Sequence, residues 1–140
     1  MSRKALVLDA NILIRAVLGQ KVRTLIMDYA NSADFFAPNV CFDDAYRYLP
    51  ELLDKRGIDA GPALAVLDLL KCIVQPVETE WLDAFEMQAR LRLRQRDEQD
   101  WPILASALAL NCPIWTEDAD FFGVGVATWT TANIEYHLSQ

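Results

Sequence analysis

Asp9, Asp44, Asp100 and Asp118 are the residues of this chain best placed for shared chemistry. Asp9 follows the apolar run Ala5-Leu-Val-Leu8, and Asp118 follows Cys112-Pro113-Ile-Trp115, so both stand just after expected strands. Asp44 and Asp100 fall in the expected first turns of helices that follow loops. Carboxylates gathered within a few ångströms raise one another's pKa and oppose folding unless something positive sits among them. No lysine, arginine or histidine stands directly beside these positions in the sequence, apart from Arg96 near Asp100. A hard divalent cation is therefore the natural partner. Oxygen ligands without His or Cys suit Mg²⁺ or Mn²⁺ better than Zn²⁺, and two such ions roughly 4 Å apart can drive phosphodiester hydrolysis. The single histidine, His137, lies near the end of the sequence and is not expected to do acid–base work.

Each acid also has a purely structural role open to it. Asp9 and Asp100 are good N-caps for the helices that follow them. Asp43 and Asp44, in a first helical turn, would favour the helix dipole without forming a site. Asp118 and Asp120 are ordinary turn residues. Only the four positions taken together, in an α/β order, point to a shared site.

The elements that must position them follow from the apolar pattern. Expected strands are Ala5–Leu8, Phe35–Ala37, Cys72–Val74, Cys112–Trp115 and Val124–Trp129. Expected helices cover 11–18, 22–30, 41–55, 63–70, 79–94, a segment from Asp100 to Leu110, and 134–138, with Pro50 kinking or splitting the third. Strands alternating with helices imply an α/β fold, a three-layer α/β/α sandwich around a mainly parallel sheet. Ligands of such sheets bind beyond the carboxyl ends of the strands, near a switch in strand order.

Length and composition bound the rest. The 140 residues suit one domain, 1–140, and 53% hydrophobic with 24% charged residues excludes disorder. No apolar run approaches the roughly 18 residues of a membrane span. Asp9, Asn11 and Arg15 interrupt what would be a signal-peptide core, so a cytoplasmic setting is expected. Cys41, Cys72 and Cys112 are too few and too scattered for a disulfide framework or zinc site and are expected as small buried hydrophobes. A net charge of −7 opposes a nucleic-acid partner only if charge is evenly spread; acids gathered around cations and arginines elsewhere reconcile the two.

At this point the sequence resembles the PIN-domain family, and within it the small single-domain proteins that include VapC-type toxins. "LVLDANILIRAVLG", Leu6 to Gly19, resembles the family's first motif, a strand ending in Asp followed by a small residue and then Asn or Ser. "DWPILASALALNCPIWTEDADFF", Asp100 to Phe122, resembles its second half: an Asp opening a small-residue helix, a strand, and a Thr-x-Asp-x-Asp-Phe turn. The family's second acid is usually a Glu early in the third helix; here "CFDDAYRYL" offers Asp43 and Asp44, and Asp44 matches by preceding Ala45. The resemblance implies a Mg²⁺- or Mn²⁺-dependent ribonuclease. Asp9, Asp44, Asp100 and Asp118 would hold the ions directly or through water, one of them orienting the attacking hydroxide. Asn11 and Thr116 would support the ligand carboxylates by hydrogen bonds, with Asp97 and Asp120 as reserve acids. It also implies an antitoxin partner and a homodimer.

The basic segment "ARLRLRQRDEQD" adds Arg90, Arg92, Arg94 and Arg96. On a continuous helix Arg90 and Arg94 share one face and Arg92 and Arg96 another, a surface suited to an RNA backbone or simply to solvent. Trp115 and Trp129 are expected in the core, with Trp101 left open between core and base stacking. A PIN-like fold without catalysis, serving as an RNA-binding or interaction subunit, remains the main rival, because fold does not imply function. A phosphoacceptor switch domain is disfavoured: neither "CIVQPV" nor "GVGVATWTT" ends in the Asp or Lys it needs.

Overall fold

The computed structural model describes residues 3–140. Five strands form one parallel sheet in the order β3-β2-β1-β4-β5. They are β1 (Lys4–Leu8), β2 (Ala33–Pro38), β3 (Val74–Val77), β4 (Ile114–Trp115) and β5 (Thr128–Trp129). Leu6, Val7 and Leu8 are fully buried, as a central strand covered on both faces requires. β3 carries Pro76 opposite Ala37 at the sheet edge, where a missing ladder donor is tolerated.

Helices α1 (Ala10–Leu18), α2 (Lys21–Tyr29), α3 (Asn39–Lys55), α4 (Gly61–Leu70), α5 (Asp83–Arg92), α6 (Trp101–Leu110) and α7 (Ile134–Leu138) cover the sheet. α6 is buried from Trp101 through Ala107; its one polar residue there, Ser106, donates to the Pro102 carbonyl at 2.7 Å, so no hydroxyl is left unsatisfied.

Several expected boundaries shift. Pro50 does not split α3, which also begins two residues before the expected start, at Asn39. Asp43 and Asp44 therefore lie in its second turn, beyond the reach of most of the helix dipole. Residues 71–73 form a turn and the strand starts at Val74. Cys41 and Cys112 are buried, whereas Cys72, in that turn, is exposed, contrary to expectation. The expected 79–94 helix is a 3-10 turn, Thr79–Leu82, followed by α5, which ends at Arg92. The helix thus ends two residues short of Arg94, and neither the Arg90/Arg94 nor the Arg92/Arg96 face is carried by a continuous helix. The last strand keeps only Thr128 and Trp129, because Gly123 and Gly125 at φ 85° and 89° turn the preceding segment out of the ladder. Trp115 is fully buried, Trp129 is half-buried against the core, and Trp101 is buried.

β1 leads outward on one side to β2 and β3, and the chain then returns to place β4 on its other side. Strand order reverses at the carboxyl ends of β1 and β4, where a crevice is built in by topology.

Candidate active site

The registers Val7↔Ile114 and Leu8↔Trp115 bring Asp9 and Thr116 side by side as the two strands end. The Thr116 hydroxyl donates to Asp9 Oδ2 and accepts the Asp118 N–H at 2.9 Å. One buried hydroxyl thus ties the two strand-end acids together across the switch point. Asp9 also caps α1, its Oδ1 accepting the Ile12 N–H at 3.0 Å. Its carboxyl is pushed up, first by burial and further by Asp118, against the lowering effect of its bonds to Thr116 and Ile12.

Asp100 stands at the N-cap of α6, yet its side chain makes no capping bond. Its carboxyl is pushed up to about 6, first by burial and then by Asp97, Asp118, Asp9 and Asp120. A capping role does not explain this residue: the helix leaves the carboxylate unused, among other acids. Asp97 and Asp118 each cap a short 3-10 turn, Asp97 Oδ1 accepting the Gln99 N–H at 3.0 Å and Asp118 Oδ1 the Asp120 N–H at 2.9 Å.

A cavity of about 900 Å³ opens here, walled by the carboxylates of Asp9, Asp44, Asp97, Asp100, Glu117 and Asp118. Buried beside it, the Cys41 thiol is held well above its usual range by burial first and then by Asp9, Asp44 and Asp100. Asp44 reaches the wall from α3 and is half-exposed.

Other assignments change. Asn11 lines the cavity; its side-chain oxygen accepts from Arg15 Nε at 3.0 Å, and its support of the Asp9 carboxyl comes from the main chain, which holds that carboxyl down. Asp120 is not on the cavity wall and contributes its main chain. Glu117 and Arg47 were passed over in the sequence. Glu117 Oε1 accepts the Thr131 N–H at 2.7 Å, and its place between Thr116 and Asp118 was the available signal. Arg47, one turn after Asp44 and bonded to it at 2.9 Å, is the one cation on the wall among the described residues. None of Arg90, Arg92, Arg94 or Arg96 lines the cavity. Arg90 pairs with Glu86 at 2.7 Å and lies over the Trp101 ring at 5.4 Å.

The donor set is all oxygen and strongly anionic, which fits a hard cation. Among the described residues, however, no three His, Cys, Asp or Glu side chains are drawn together into a ready-made metal cage. That is compatible with Mg²⁺, which typically takes one or two carboxylates and fills its octahedron with water and substrate oxygens.

The PIN domain family model matches residues 7–139, and the chain belongs to that family. A search of curated proteins returns no match. Among solved structures, a chain of the VapBC2 complex from Rickettsia felis bound to a promoter DNA fragment aligns at TM-score 0.68 and 14% identity. The alignment covers 90% of this chain and 98% of that one. A chain of FitAB bound to the IR36 DNA fragment aligns at TM-score 0.64 and 20% identity, over 90% and 94%. At such identities the likeness is one of fold.

Proposed function

We propose that this chain is a Mg²⁺- or Mn²⁺-dependent endoribonuclease acting in the cytoplasm as the toxin of a toxin–antitoxin pair. The observation that carries the catalytic part is Asp100: a half-buried carboxylate at a helix start, unused as a cap, facing Asp9 and Asp118 across the switch-point cavity. Asp9, Asp100 and Asp118 would hold the ion, with Asp44 joining from α3. When bound, the ion supplies positive charge that acidifies a water and offsets charge gathering on phosphate oxygens. Thr116 keeps Asp9 and Asp118 at fixed separation through its two hydrogen bonds. Arg47, exposed beside Asp44, can leave that carboxylate for an incoming phosphate. Arg94 meets RNA outside the cavity, with spare donors on Arg90, Arg92 and Arg96 adding to it.

The toxin assignment is supported by the motif resemblance to VapC-type proteins and by the shared fold with chains of the VapBC2 and FitAB complexes. An antitoxin covering the site, and a homodimer, belong to the same reading. The absence of a closed cage among the described residues favours, as second reading, a PIN fold that binds without cutting. Incubation of mixed RNA with the purified protein decides between them. The nuclease cuts with Mn²⁺ and fails with EDTA or as Asp100→Asn; a folded protein that binds Mn²⁺ and RNA without cutting supports the second reading.

A further inference from the structure

The basic segment that ends α5 and continues to Arg96 does something its charge alone does not suggest. Arg96 Nη1 donates to the carbonyls of Asp120 and Phe122, both at 2.6 Å, and Arg92 Nη1 donates to the carbonyl of Val124 at 3.0 Å. Three carbonyls, two residues apart along the loop after Asp118, are therefore held by two guanidinium groups from the segment that leads into Asp97 and Asp100. The loop is shaped to receive them. Gly123 and Gly125 take φ values of 85° and 89°, conformations that L side chains rarely adopt. A Cβ on Gly125 would come within 2.8 Å of Arg92 Nη1.

The bonds connect to the site through one residue. The Asp120 N–H holds Asp118 Oδ1, and the Asp120 carbonyl is held by Arg96. On the other side of Arg96, Asp97 begins the 3-10 turn that ends at Asp100. We infer that Arg96 is a positioning residue: acting through the Asp120 main chain, and assisted by Arg92, it fixes the Asp118 carboxylate relative to Asp97 and Asp100. A planar guanidinium suits this task because the two N–H directions of its Nη1 are fixed by the group's plane, whereas the three donors of a lysine ammonium rotate on a shorter-reaching, flexible stem. Arg94, in the same segment and of the same charge, makes no such bond among the described residues and serves as the control.

The consequence for metal binding rests on the nuclease reading above; the brace itself does not. Wild type, Arg96→Ala, Arg96→Lys and Arg94→Ala are compared in two measurements. The first is hydrogen exchange of the amides from Asp118 to Phe122 in metal-free protein. The second is Mn²⁺ titration without RNA, followed by the electron-spin-resonance signal of free Mn²⁺. Both Arg96 variants should speed exchange in that segment at least tenfold and weaken Mn²⁺ binding by about 10- to 100-fold, the usual effect of losing an outer support. Arg94→Ala should match wild type in both. The lysine variant keeps the charge, so it remains informative where the alanine variant does not fold. Wild-type behaviour of Arg96→Lys, or equal losses in Arg94→Ala, overturns the inference. A wild-type chain that binds no Mn²⁺ and cuts no RNA removes the nuclease reading, and the exchange rates then decide the brace alone.

Discussion

At the scale of single residues, Thr116 and Asp100 carry the most weight. Thr116 is fully buried and its oxygen is used twice, as donor to Asp9 and acceptor from Asp118. Thr116→Val should cost about 1–3 kcal/mol by leaving a buried carboxylate oxygen short of its donor, whereas Thr116→Ser should recover most of it; urea denaturation of the three proteins measures this. Asp100 makes a pH prediction with a definite sign. Its carboxyl is raised from an ordinary 3.8 to about 6, so between those values the folded metal-free chain binds more protons than the unfolded one, and stability falls as pH rises. Above about pH 6 the contribution is flat. Thermal unfolding in EDTA should therefore show a decline from pH 4 to 6 that Asp100→Asn makes shallower and that Mn²⁺ reverses in the wild type. Asp9, also raised, acts in the same direction. The sequence pointed to Asp9, Asp100 and Asp118 because a carboxylate at a strand end or helix start leaves a pattern. It did not show that Asp9 caps and faces the cavity at once, nor that Arg47 neutralises Asp44, because both depend on side-chain rotamers.

Among the elements, strands and helices with strong apolar periodicity were legible, and segments governed by backbone turns were not. β1, β2 and α6 are set by burial that shows in residue type. The segments 92–97 and 120–125 are set by where hydrogen bonds go: α5 stops at Arg92, and the carbonyls of Asp120, Phe122 and Val124 are held by Arg96 and Arg92. Four alternating arginines resembled an RNA-facing helix for that reason. Gly125→Ala should test the loop. It meets both an unfavourable φ and the Arg92 guanidinium, and should destabilise by more than about 1 kcal/mol, measured by urea denaturation, with a matching loss of Mn²⁺ affinity.

For the whole molecule, topology and charge act together. The reversal of strand order between β1 and β4 gathers acids from distant parts of the sequence, and these unneutralised carboxylates, part of a net charge of −7, oppose phosphate at the cavity. RNA binding should accordingly be weak without divalent ions and stronger with Ca²⁺ as a non-cleaving substitute. Its salt dependence should shallow by about 0.7 in log–log slope for each phosphate contact removed, as for Arg94→Ala; fluorescence anisotropy across a salt series reads both. Among the described residues no helix is long and apolar enough to cross a membrane. Cation binding by the switch-point carboxylates would be seen in an anomalous-difference map from crystals grown with Mn²⁺. A peak bounded by Asp9, Asp100 and Asp118, absent in Asp100→Asn, is the predicted result; an ordered, empty cavity at saturating Mn²⁺, or a peak bound only elsewhere, contradicts it.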